Sequence, residues 1–209
     1  MNLEHTHDDH GHAGDDDDHG GHDHDHSGHE HVDYPTAVAQ YRADKDEYFR
    51  TAKDSPIPVA DRPSFQGLPY YPVDEALRFD GLTLAPYAGS EPANFQIPTS
   101  DGKLRDAERA GTFTFEVDGT SHRLTGYRFA QGDAESVFVP FLDLTSGAET
   151  YGAGRYLDLY PDEDGTYALD FNLAYHPSCV YDARFSCPLT PAENRLPIRI
   201  EAGERLRSG

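Results

Sequence analysis

Gly111 to Tyr127 reads GTFTFEVDGTSHRLTGY. Phe113, Phe115 and Val117 alternate with Thr114 and Glu116, the period-two pattern of a strand with one face buried. Asp118-Gly119 follows, a pair that accepts the positive φ angles of a tight hairpin turn, and it leads into a second strand at 121–127. Working outward, short runs at 77–85, 137–142, 155–159, 167–171 and 196–200 have similar character, separated by turn residues. Asp164-Gly165 predicts another hairpin, between 155–159 and 167–171. Strands at this spacing predict a mainly β domain, an antiparallel sandwich or barrel. One helix is expected at its N-terminal side, over 36–53, where Val38, Tyr41, the stem of Lys45, Tyr48 and Phe49 fall near helical spacing. Pro35-Thr36 suits its start and Ser55-Pro56-Ile57-Pro58 ends it. The proline-rich stretch 54–76 holds the aromatic cluster Phe65 to Tyr71 and is expected to pack in extended form.

The first 33 residues are of another kind. Ten of the 12 histidines stand there among Asp and Gly: His5, His7, His10, His12, His19, His22, His24, His26, His29 and His31. So polar a segment buries too little apolar surface to offset the entropy of ordering, so a disordered tail is expected at 1–33 and one domain at 34–209. Neutral imidazoles two or three residues apart, with carboxylates between, suit Zn, Ni or Cu. The net charge is −21, of which 1–33 carry −11. An acidic body argues against nonspecific binding to nucleic acid, which needs phosphate neutralisation, and against docking on anionic lipid, so neither is an expected partner. Acid excess with only three lysines (45, 53 and 103) against fourteen arginines fits a halophilic protein. No apolar run approaches the ~20 residues of a membrane span. With no secretory leader pattern either, the expectation is a cytoplasmic protein whose two cysteines are thiols.

Two polar stretches hold candidate chemistry. In DLTSGAETYGAGRY, residues 143–156, the residues Asp143, Thr145, Glu149 and Arg155 suit convergence on a polar ligand, with Arg155 binding an anionic group in bidentate fashion. The same residues also suit turn capping by Asp143 and Thr145, and pairing of Arg155 with Asp143, Glu149 or Asp170. The glycines match neither a Walker loop nor a dinucleotide fingerprint. Farther on, His176, Cys179 and Cys187 have the residue types of a zinc site, with His122 or an Asp as a fourth ligand. A disulfide, a pair of buried thiols, and a Cys179–His176 nucleophile pair oriented by Asp170 or Asn172 are the other readings.

The run F-x-D-x-T-S-G-x-E-T-Y-G-x-G-R-Y-L (141–157) resembles the signature of a prokaryotic family, domain of unknown function 1684. L-D-F-N-x-A-Y (169–175), Pro177, Cys179, Cys187-Pro188, E-N-R-L (193–196) and A-G-E (202–204) continue the match, as do 45–49 and 65–71 upstream. The resemblance covers about residues 36–206. It implies a shared site at Asp143, Thr145, Glu149, Tyr151, Arg155, Asp170, Asn172, Tyr175, Cys179, Cys187 and Asn194. Where family members often carry Asn before the proline, this chain has His176. The leading reading is a small-molecule-binding or enzymatic domain. In it Arg155 meets a small anionic ligand, Asp143 and Glu149 are orienting or acid/base carboxylates, and Thr145, Tyr151, Asp170, Asn172, Tyr175 and Asn194 line the site. The alternatives are a metal-handling protein that stores or delivers Zn, Ni or Cu, and a non-catalytic structural domain.

Overall fold

The computed structural model describes residues 32–207. The histidine-rich segment, with its expected metal ligands His5 to His31 and its expected disorder, lies outside the described residues. Helix α1 (Tyr34–Thr51) starts where Asp33 accepts the Thr36 amide at 2.9 Å, with Pro35 in the first turn. The strands are β1 (Arg78–Leu82), β2 (Asn94–Pro98), β3 (Leu104–Val117), β4 (Thr120–Phe129), β5 (Val137–Phe141), β6 (Arg155–Leu159) and β7 (Tyr167–Asp170). The fold is mainly β. An antiparallel five-stranded sheet has the order β2-β3-β4-β5-β6, and a two-stranded antiparallel sheet pairs β1 with β7.

The hairpin at 111–127 forms as its pattern predicts. Phe113 and Phe115 are buried, Thr114 and Glu116 exposed, and Asp118 and Gly119 both take positive φ. The small sheet lies over this face: Phe79 of β1 meets the Phe115 ring at 5.0 Å, and Tyr167 of β7 meets Phe113 at 5.2 Å. Leu124, Val137, Val139, Phe141, Leu157, Leu159 and Phe171 complete this core. Alternation sends Tyr127, Phe138 and Tyr156 to the opposite face, where they pack with Cys187 in a second cluster. A third cluster joins Phe49 of α1 to Ile57 and Leu68 of the proline-rich stretch.

Two expectations are corrected and one strand is added. Residues 196–200 form no strand: Pro197 has no amide to give, the Ile200 amide goes to Asp143 Oδ2 at 2.8 Å, and the Ile200 carbonyl goes to Arg155 at 2.7 Å. The Asp164-Gly165 turn is present, with Gly165 at φ 79°, yet β6 and β7 belong to different sheets. Beyond the single bridge of Pro161 with Tyr167, that turn carries the chain from one layer to the other rather than closing a hairpin. A further strand, β2, pairs with the outlying start of β3, where Arg105, Asp106 and Glu108 leave no apolar face to read.

A side chain repairs a gap in the large sheet. The pairing of Tyr127 with Phe138 sets Thr125 of β4 opposite Pro140 of β5, and proline has no N–H for the ladder. The Asn194 carboxamide enters the gap. Its Nδ2 donates to the Thr125 and Pro140 carbonyls at 2.8 and 2.7 Å, and its Oδ1 accepts the Thr125 amide at 2.8 Å. Asn194 is wholly buried. Asn194→Ala is expected to lower stability by about 3 kcal/mol, because three main-chain groups are left buried and unpaired. Urea unfolding checks this: the midpoint falls, and an unchanged midpoint would mean that the strands close without the amide.

Candidate functional site

The 143–155 stretch folds as a closed turn around Asp143. Its carboxylate accepts the Thr145 hydroxyl at 2.9 Å, the Ser146 hydroxyl at 3.1 Å and the Ile200 amide. Thr145 shares its hydroxyl with Thr150 at 3.0 Å. Arg155 leaves the first position of β6 and is wholly buried. Nη2 lies 3.5 Å from Asp143 and donates to Ile200 O, while Nη1 serves the carbonyls of Ala202 and Glu204. Burial lowers the guanidinium pKa and Asp143 opposes that shift. Of the pairings considered for Arg155, the structure forms the one with Asp143. Both terminal nitrogens are engaged inside the protein, so the group does not face an anionic ligand from solvent. Glu149 stands apart at the surface, bonded to Arg199 and, at 2.9 Å, to the Tyr71 hydroxyl.

The 170–204 residues divide between scaffold and site. Asn172 clamps the main chain of Asp74, donating to its carbonyl and accepting its amide, each at 2.8 Å. Asp170 accepts the Asn172 amide at 2.9 Å and the Tyr34 hydroxyl at 2.6 Å, which ties the start of α1 to the end of β7. His176 is buried, with Nε2 accepting the Tyr151 amide at 3.3 Å and Nδ1 at 3.6 Å from Glu204. Glu204 in turn takes Lys45 of α1 at 2.7 Å, the His176 amide at 2.7 Å and the Tyr181 hydroxyl at 3.0 Å. Gly203 permits this arrangement: it sits at φ 74°, and a Cβ there would meet the Ala174 carbonyl at 2.5 Å.

The cysteines are free thiols, with the Cys179 amide donating to Cys187 Sγ at 3.3 Å. Burial pushes the Cys187 thiol up to about 11, which keeps it protonated at neutral pH. Among the described residues no three His, Cys, Asp or Glu side chains are grouped to hold a metal ion. His176, Cys179 and Cys187 are therefore not assembled as a ligand set: the imidazole turns to Tyr151 and Glu204, while Cys187 packs in the aromatic cluster.

A cleft of about 620 Å³ opens between α1 and the β6–β7 side of the sheets. Tyr34, Tyr41, Asp158, Tyr160, Asp170 and Tyr175 are among its lining residues. Asp158 projects from β6 on the face opposite Leu157 and Leu159, and receives the Tyr175 hydroxyl. It remains open to solvent, yet the concave protein surface around it raises its pKa, against the hydrogen bond from Tyr175 and the nearby Lys45 charge. Lys45 Nζ lies 4.6 Å from the centre of the Tyr175 ring while paired with Glu204, so it joins the buried network to the cleft. Asp170 and Tyr175 were expected site residues. Asp158, Tyr41, Tyr34 and Lys45 were not, because a polar residue in an alternating strand, or on a helix, reads as a solvated position. A shallow groove of about 680 Å³ along β2–β4 is lined mainly by exposed side chains and borders none of the buried networks.

The family model described as "Protein of unknown function (DUF1684)" matches residues 63–205. The chain belongs to the DUF1684 family. No curated protein matches the sequence. Among solved structures, the chain is similar to an uncharacterized protein of Haloarcula marismortui determined by NMR in solution, at 38% identity and a TM-score of 0.60. The likeness covers 82% of this chain and 93% of that one. The DUF1684 match takes in β6, β7, Tyr175 and Glu204, and so one wall of the cleft; α1, the other wall, precedes it. No helix among the described residues is long and apolar enough to cross a membrane.

The burial of His176 has a measurable consequence. Burial depresses its pKa from 6.5 to about 4, outweighing the pull of Glu204. The unfolded chain therefore binds this proton first. The stability that the neutral imidazole contributes is complete above about pH 6.5 and is lost as pH falls toward 4, on the order of 3 kcal/mol in all. Unfolding followed at pH 7, 6, 5 and 4.5 is expected to show a steeper loss for the natural chain than for His176→Asn. Parallel curves would place the pH dependence elsewhere.

Proposed function

We propose that this domain binds a small molecule in the cleft between α1 and the β6–β7 side. One observation carries the reading: Asp158 and the Tyr175 hydroxyl form a polar pair inside a concavity of about 620 Å³ whose other walls are mostly apolar and include the rings of Tyr34, Tyr41 and Tyr160. Concave, mostly apolar surfaces with a few placed polar groups are where proteins take small ligands. In this reading Asp170 and Tyr175 belong to the site, while Asp143, Thr145, Arg155, Asn172 and Asn194 hold the frame behind it. Glu149 lies at the surface and Tyr151 holds His176. If the domain is an enzyme, Asp158 is the acid/base group, since its raised pKa favours exchange of a proton near neutrality more than an ordinary carboxylate would. Residue-resolved NMR of the full chain against a fragment library tests the reading. Shifts are expected at 34–41, 157–160 and 175, weakened about tenfold by Asp158→Asn with no loss of melting temperature. Hits confined to the β2–β4 groove would overturn it.

A second reading concerns the segment outside the described residues. Ten histidines within the first 31 residues favour binding of Zn, Ni or Cu by that segment. Metal content by mass spectrometry, comparing the full chain with one beginning at Val32, checks it: metal is expected on the full chain alone. Equal content on both would move the metal to the body.

A further inference from the structure

The class of ligand is set by a charge balance within the cleft, and it rests on the reading of the cleft as a binding site. Two basic side chains stand at its edge, and each has its own carboxylate. Arg78 Nε pairs with Asp80 at 2.9 Å, and Lys45 pairs with Glu204 at 2.7 Å. Asp170 is satisfied as well, by the Tyr34 hydroxyl and by the amide and carboxamide of Asn172. Asp158 likewise has no ion-pair partner among the described residues, but it is exposed and accepts only the neutral Tyr175 hydroxyl. The uncompensated charge of the cleft is therefore negative, and of its two carboxylates Asp158 is the one open to a ligand, since Asp170 is buried.

The walls add a second preference. Aromatic faces attract cations, and two rings of this cleft already do so within the protein. Arg78 lies 4.6 Å from the Tyr34 ring centre, and Lys45 lies 4.6 Å from that of Tyr175. Tyr41 and Tyr160 also line the cleft. They are 42% and 54% exposed, and among the described residues no cation stands over either ring. A neutral polyol stacked there would leave Asp158 uncompensated, and an anion would be repelled by it. The field of a chain with net charge −21 draws cations in the same sense.

We propose that the cleft takes a small organic cation, an amine whose charged nitrogen sits against Asp158 and whose carbon skeleton lies on the Tyr41 and Tyr160 rings. The carboxylate supplies the charge-assisted bond and the rings supply apolar contact and cation–π attraction.

The test titrates the full-length, isotope-labelled protein with 2-phenylethylammonium and, separately, with its uncharged counterpart 2-phenylethanol, at equal ionic strength. Amide shifts at 34–41, 157–160 and 175 are read, so that any loose attraction of the amine to acidic residues elsewhere is not counted. The amine is expected to bind at least about tenfold more tightly than the alcohol. Asp158→Asn is expected to remove that difference, and Tyr160→Ala to weaken the amine while the exposed position keeps the fold intact. If alcohol and amine bind alike and Asp158→Asn changes neither, the cation proposal falls while the cleft stands as a binding site. If neither probe nor any library fragment shifts cleft residues, the binding reading falls with it. Should Asp158→Asn not fold, the amine–alcohol comparison and Tyr160→Ala decide alone.

Discussion

A guanidinium buried at the first residue of β6 organises this domain. Arg155 holds the irregular chain from Ile200 to Glu204 against the sheet through three carbonyls, with Asp143 beside it. Sequestering such a group from water costs several kcal/mol, and only dense hydrogen bonding offsets the penalty. The 143–150 turn provides part of that bonding and the 196–204 segment the remainder. Other contacts depend on this one in turn. The held segment sets Glu204 in the interior, Glu204 fixes Lys45, and Lys45 with Arg42 draws α1 against the body. Arg42 donates to the Tyr71 carbonyl at 3.0 Å. The cleft exists because a helix is anchored in this polar way beside a sheet edge, with Val38 and Phe49 as its buried residues.

Polar side chains elsewhere take over tasks that regular secondary structure usually performs. Asn194 stands in for a missing ladder bond, and Asn172 acts as a short strand toward Asp74. A buried carboxamide suits the task because it offers donors and an acceptor in one plane, like the peptide group it replaces. Most of the closely spaced polar residues in the second half of the chain are thus committed to holding main chain in place. The residues free to meet a ligand are fewer and lie on another surface.

How much of this was legible depends on the range of the interaction. The 111–127 hairpin could be read because its alternation and its turn are local, and β6 at 155–159 likewise. Pairing of Arg155 with Asp143 was one of the readings that residue type allowed. Asp158 was not legible. Its neighbours Leu157 and Leu159 mark it as an outward position, and only the arrival of α1 and Tyr175 turns that position into the wall of a cleft. The 196–200 run has the composition of a strand. Pro197 offers no amide, and side chains 45 and 57 positions away claim the Ile200 carbonyl and amide, which no window of sequence shows.

The carboxamide at 194 also imposes an order on the making of the protein. Strands β4 and β5 emerge from synthesis in succession, but the group that completes their ladder lies 69 positions beyond Thr125 and 54 beyond Pro140. Until it is made, the seam between β4 and β5 leaves two carbonyls and an amide without this partner. The seam between β4 and β5 is therefore completed only once residue 194 is in place, however early the hairpin of β3 and β4 forms.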